Sequence, residues 1–156
     1  MKKTTQALAW IKDILEKENI PYCLTGGIAA NFYGSKRPLA DIDLEIDKKY
    51  LNKIAKLVKP YIIFGPKHYQ DKNWDLELLT LLYKEQEIDL AESSAKIFNK
   101  IDKRWEKLPN HTKRATLATF HRQSIFIISK IDLINYKSKL RRRVDLEDLR
   151  QMKKTI

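Results

Sequence analysis

Cysteine is almost missing from this 156-residue chain, where Cys23 stands alone. A disulfide within the chain is thereby excluded, and a single thiol suits a reducing compartment. Histidine is scarce as well. His68, His111 and His121 lie far apart in neither a His-Glu-x-x-His run nor a Cys/His ligand spacing, which argues against a zinc site. Also absent are the Gly-x-x-x-x-Gly-Lys-[Ser/Thr] loop of P-loop NTPases and, around Ser93-Ser94, the glycine-flanked nucleophile turn of hydrolases. No apolar run approaches the roughly 18 residues that cross a bilayer. Met1-Lys2-Lys3 opens like a signal peptide, but Lys12 and Asp13 interrupt the apolar segment too early. A cytoplasmic protein without a membrane partner is the expectation. No internal repeat, low-complexity tract or recognisable RNA-binding motif is present.

What is plentiful is positive charge. The chain carries 31 Lys and Arg against 20 Asp and Glu, a formal net of +11. The excess is uneven: residues 1–91 hold 14 basic against 13 acidic side chains, and residues 92–156 hold 17 against 7. A near-neutral first part joined to a strongly basic second part points to a polyanionic partner, unless the lysines merely serve solubility. With 43% apolar residues the length suffices for a core without disulfides or a structural metal. One domain over 1–156 is expected, with 129–156 a basic helical C-terminal extension.

Glycine is sparse, yet three of the four glycines fall in one stretch, Leu24 to Asp47. Gly26-Gly27 follow the apolar Tyr22-Cys23-Leu24 and precede the helix-forming Ile28-Ala29-Ala30-Asn31-Phe32. Glycine lets backbone N–H groups approach an anion closely, and a following helix adds a favourable dipole; the plainer reading is a turn. Further on, Asp41, Asp43 and Glu45 alternate with Ile42, Leu44 and Ile46, the period of a strand with one acidic and one apolar face. Such a face is usually just solvated. Three like charges on it repel one another, however, and carboxylates at i and i+2 can share a hard cation. A phosphate cradle followed by a metal-binding pair points to phosphoryl or nucleotidyl transfer.

Periodicity outlines the rest. Thr4 to Asn19 reads as an amphipathic helix with Leu8, Ile11 and Leu15 on its stripe, ended by Asn19 and Pro21. Asp47 caps an expected helix over Lys48 to Lys59, which Pro60 stops. Tyr61 to Phe64 reads as a short strand and Gly65-Pro66 as a turn. Trp74 to Tyr83 and Glu87 to Ala91 read as a hairpin around Lys84-Glu85-Gln86. Ile97, Ile101 and Trp105, spaced by four, suggest a short helix within Ser93 to Asn110. Lys113 to Phe120 and Ser124 to Ile128 suggest a second hairpin around His121-Arg122. Ser129, with Asp132 at N3, opens a helix through Leu140, and Arg141-Arg142-Arg143 lead to a last one. In the return strand Asp89 lies between Ile88 and Leu90, an h-Asp-h pattern suited to a third ligand. Asp75, Glu77 and Glu87 compete for that role, Glu87 most closely because it shares the face of Asp89.

The glycine-led helix followed by the Asp41-Ile42-Asp43 strand resembles the signature of the nucleotidyltransferase superfamily that includes DNA polymerase beta, CCA-adding enzymes and antibiotic nucleotidyltransferases. Small bacterial members are the nearest in pattern: lincosamide and aminoglycoside nucleotidyltransferases and those of toxin–antitoxin or phage-defence systems. Many of them lead into the strand with Arg-x-Thr-x-Asp-h-Asp; Arg37, Asp41 and Asp43 match, and Leu39 stands where the Thr would be. Their C-terminal pattern is matched by Asp132, Leu133 and Lys137, then Arg142, Asp145 and Asp148. The resemblance covers residues 22–47, 87–90 and 129–149. It implies an α/β (α+β) fold, a mixed sheet flanked by helices with a helical C-terminus, and transfer of a nucleoside monophosphate from an NTP such as ATP or GTP to an acceptor hydroxyl with release of pyrophosphate. Asp41, Asp43 and Asp89 would hold two Mg²⁺ or Mn²⁺ ions, with Asp89 taking the acceptor proton. Gly26 and Gly27 would bind the distal phosphates, and Lys36 or Arg37 the leaving pyrophosphate. Lys137 and Arg142 would approach nucleotide or acceptor, or else form helix–helix ion pairs. The acceptor is open between tRNA, a small molecule and a protein, with the basic second part leaning towards a polyanion. The alternative is a catalytically weak module that keeps only the fold, an antitoxin-like protein bound to its toxin partner or a nucleic-acid binder.

Overall fold

The computed structural model describes residues 1–153; the last three residues of the expected C-terminal extension lie outside the described part. Element order is α1 (Lys2–Lys17), β1 (Tyr22–Thr25), α2 (Gly26–Phe32), β2 (Asp41–Ile46), α3 (Leu51–Leu57), β3 (Ile62–Gln70), β4 (Trp74–Tyr83), β5 (Gln86–Glu92), β6 (Lys96–Asn99), β7 (Arg104–Lys107), β8 (Thr116–Phe120), β9 (Gln123–Ile127), α4 (Lys130–Leu140) and α5 (Arg143–Lys153). The strands form one mixed sheet in the order β7-β6-β4-β5-β2-β1-β9-β8, with β3 also paired to β4. It is the expected α+β class.

Burial explains most of these elements. Ala7, Leu8, Ile11 and Leu15 of α1 are removed from water and pack towards β2 and β5. Ile42, Leu44 and Ile46 of β2 are likewise buried, which leaves Asp41, Asp43 and Glu45 to the other face. Burying such side chains contributes roughly 1.5–3 kcal/mol each, so slipping β2 by one residue would exchange apolar for acidic residues at large cost. The helices α2, α4 and α5 pack on one another. Ser129 starts α4 as expected, its hydroxyl accepting the Asp132 N–H at 3.1 Å.

Four local expectations are corrected. Lys48 to Lys59 splits into a 3-10 turn (Lys48–Tyr50), the seven-residue α3 and a second 3-10 turn holding Pro60. Gly65-Pro66 does not end its strand: β3 runs on to Gln70 across register shifts, with Gly65 at φ +73 and no room for a Cβ beside the Leu78 carbonyl. Bulges of this kind bend a strand without stopping it. The Lys84-Glu85-Gln86 turn is the two-residue Lys84-Glu85, both at positive φ as a type I′ hairpin requires; Gln86 already pairs with Tyr83. Finally, Ser93 to Asn110 holds no helix. It forms the β6–β7 hairpin, in which Ile97 is buried while Ile101 and Trp105 are exposed, so the spacing of four marked no common face. The hairpin around His121-Arg122 forms as expected within slightly narrower bounds.

Candidate active site

Strand β5 runs parallel beside β2, placing Asp41 opposite Glu87 and Asp43 opposite Asp89. Paired residues share a face, so four carboxylates converge. Oxygens of Asp41, Glu87 and Asp89 lie within 4.8 Å of one another. Asp43 lies outside that triad and turns towards the glycines: a Cβ built on Gly26 would stand 2.1 Å from its Oδ2. With φ at +65, Gly26 thus meets two demands, a left-handed backbone and space for a carboxylate. A Cβ on Gly27 would meet Arg37 Nη2 at 2.6 Å.

Arg37 could not easily yield, because it is tied down. Its Nε and Nη2 donate to the two carboxylate oxygens of Asp148 at 3.0 and 2.9 Å, and the Ser35 hydroxyl donates to the same residue at 2.7 Å. Lys137 lies buried between Asp145 and Asp148, at 3.0 and 3.1 Å. Arg142 binds Asp145 through Nε and Nη2 at 2.7 and 3.0 Å, with its guanidinium 5.7 Å from the Trp74 ring centre. Of the two roles open to Lys137 and Arg142 in the sequence, the ion pairs are formed, and both residues also line the cleft. Lys36 is exposed and is not among the lining residues. The three consecutive arginines diverge, for Arg141 and Arg143 are exposed while Arg142 faces the cleft.

The cleft measures about 630 Å³. Gly26, Gly27 and the carboxylates form one part of its lining, and Phe64, Tyr69, Trp74 and Leu76 another. Burial, with Asp41 and Asp89 nearby, holds the Asp43 carboxyl well above the usual range. Asp41 is raised by burial against the pull of Arg37 and Arg142. Burial lifts Asp89 to about 6; the Thr80 hydroxyl, donating to it at 2.6 Å, works against the lift, and Asp41 and Glu87 add to it. Crowded carboxylates with raised proton affinity are a site that a cation would relieve. An all-oxygen donor set fits a hard divalent ion such as Mg²⁺ or Mn²⁺ better than zinc.

Two cleft residues were not foreseen. Thr80 pairs directly with Asp89 across the β4–β5 hairpin, a partner the sequence would yield once the turn is read as two residues. Tyr136 precedes Lys137 on α4, and its phenolic oxygen accepts the Gly26 N–H at 2.9 Å, so that N–H is already engaged. Nothing local in the sequence marks that contact across 110 residues.

The mixed sheet with its flanking helices matches, as a fold, solved structures of nucleotidyltransferase type. A Thermotoga maritima protein described as a candidate nucleotidyltransferase superposes with a TM-score of 0.75 at 18% identity, over 96% of this chain and 92% of its own. ANT(2'')-Ia in complex with adenylyl-2''-tobramycin gives 0.61 at 14% identity, over 97% and 88%. An antigenic nucleotidyltransferase-like protein from Paracoccidioides brasiliensis gives 0.57 at 16% identity, over 97% and 75%. No protein-family model and no curated protein sequence matches the chain.

Proposed function

We propose that the protein is a nucleotidyltransferase that moves a nucleoside monophosphate from an NTP to an acceptor hydroxyl and releases pyrophosphate. The observation that carries this reading is the β2–β5 register, which gathers Asp41, Glu87 and Asp89 at one cleft with Asp43 and the glycine pair beside them. Asp41, Asp43 and Asp89 would hold two Mg²⁺ ions, with Glu87 contributing from the same face. Bound there, the metal would supply charge neutralisation at the triphosphate and acidify the acceptor hydroxyl. Asp89 would accept the acceptor proton. Arg37, Lys137 and Arg142 would place positive charge along the same cleft, each fixed by a buried aspartate and so pre-organised.

The lining bears on the acceptor. Asp71, Glu87 and Glu92 join the metal-site carboxylates, and every lining cation is already paired. A neutral or cationic hydroxyl compound therefore suits the point of transfer better than a polyanion, and tRNA would need the basic surface outside the cleft. The adenylyl-2''-tobramycin in the ANT(2'')-Ia complex is a small hydroxyl compound that already carries the adenylyl group. The antitoxin-like or nucleic-acid-binding module is not favoured by any feature of the cleft.

The test is incubation with each α-labelled NTP and Mg²⁺ in the presence of a cell extract, then fractionation to see what carries label. Label that appears with Mg²⁺ and disappears with EDTA supports the enzyme. Should Mg²⁺ and NTP together fail to raise thermal stability beyond either alone, the binding-module reading would replace it.

A further inference from the structure

Tyr136 is 4% exposed, with its ring edge-on to Trp74 at 6.3 Å and tilted against His111 at 6.0 Å. The Gly26 N–H, with one proton to give, is spent on the Tyr136 oxygen at 2.9 Å and is a poor donor to anything else. The Tyr136 hydroxyl keeps a proton of its own. Among the described residues no acceptor receives it, although Tyr136 lines the cleft beside Gly26 and Asp43.

We propose that the Tyr136 hydroxyl, in place of the Gly26 N–H, donates the hydrogen bond to a distal phosphate of the bound nucleoside triphosphate. This rests on the nucleotidyltransferase reading. The chain of contacts runs from the Gly26 N–H to the phenolic oxygen and from the phenolic proton to the phosphate. Accepting the first bond polarises the O–H and strengthens the second. Burial also raises the phenol's proton affinity, so the group stays a donor across the working pH range. The glycine then acts on the phosphate through the tyrosine, while its missing side chain makes room for Asp43.

The experiment compares the unmodified protein with Tyr136→Phe, titrating each with a non-hydrolysable Mg²⁺–triphosphate analogue and with the corresponding monophosphate. Losing a hydrogen bond to a charged group should make the variant bind the triphosphate roughly 10-fold or more weakly. Monophosphate affinity should stay within about twofold. Unchanged or tighter triphosphate binding would show that the hydroxyl merely plugs the glycine, and equal weakening of both ligands would reduce it to packing; either result overturns the proposal. If the unmodified protein binds neither ligand, the nucleotidyltransferase reading itself falls. As a check free of folding effects, 3-fluorotyrosine placed at position 136 alone, a stronger donor, should tighten triphosphate binding, and a loss of affinity there would refute the relay.

Discussion

Replacing Lys137 by Met keeps the aliphatic stem and removes the charge that holds α5 against α4. In the native protein the Lys137 side chain is 1% exposed, and its ammonium group lies 3.0 Å from Asp145 and 3.1 Å from Asp148, both of whose side chains are fully buried. Removing one partner of a buried ion pair costs about 3–5 kcal/mol, because a charge is left in a poor solvent. Here Asp145 keeps Arg142 and Asp148 keeps Arg37, so the lower end applies, about 3 kcal/mol. For a domain of this size that loss corresponds to a Tm drop of roughly 6–12 °C. The loss should depend on pH. Burial alone would raise both aspartates, but Arg142 with Lys137, and Arg37 with Ser35 and Lys137, outweigh it and hold them below the ordinary range. Depressed carboxyls stabilise the fold above their unfolded value and lose that contribution as pH falls through the folded one. The gap between the two proteins should therefore be widest near pH 7 and close below about pH 4. Thermal melts across that range are the assay. A drop of less than about 3 °C at pH 7, or a gap that ignores pH, would refute the reasoning. An unchanged Tm with lost Mg²⁺–NTP affinity would place Lys137 on the nucleotide instead.

Asp43→Asn should abolish transfer while the metal-free Tm stays level or rises, since a carboxylate burdened by burial and two neighbours is neutralised; full activity in labelled-NTP assays would refute its role as a ligand. Asp89→Asn should cripple turnover yet keep much of the Mg²⁺–NTP affinity, and Glu87→Gln should do less; the reverse order in single-turnover kinetics would make Glu87 the third ligand. Asp89 is raised to about 6 from an ordinary 3.8, so it favours the folded state fully below the ordinary value and loses that contribution as pH rises through about 6. Metal-free protein should thus gain roughly 2 kcal/mol from this group between pH 7 and pH 4, and Asp89→Asn should shrink the trend in denaturant melts by that share, leaving what Asp41 and Asp43 add. Because Arg142 holds Asp145, a test of the basic surface should change Arg141 and Arg143 only, to Gln; if they contact RNA phosphates, the salt dependence of binding flattens by roughly 0.7–0.9 log units per contact. No RNA binding at low salt by the unmodified protein would remove the polyanion idea.

The sequence alone determined the elements whose cause is local. Apolar residues every second position made β2 a strand and put Asp41 and Asp43 on its other face, and Ser129 with Asp132 opened α4. Those are short-range effects of side-chain period and capping. Their order along the chain was enough to suggest the fold that the structural likenesses display. What the chain could not decide locally was whatever depends on which segments meet. The spacing of Ile97, Ile101 and Trp105 was compatible with a helix until pairing with β4 and β7 fixed a hairpin. Asp89 and Glu87 were separable as ligands only by register, and the parallel β2–β5 pairing brings in both while turning Asp43 towards Gly26. Lys137 and Arg142 looked equally like contacts of nucleotide or acceptor and like members of ion pairs with Asp145 and Asp148. Packing of α4 on α5 made them partners at the edge of the cleft, because a buried charge must be met by the charges that the fold itself brings within reach.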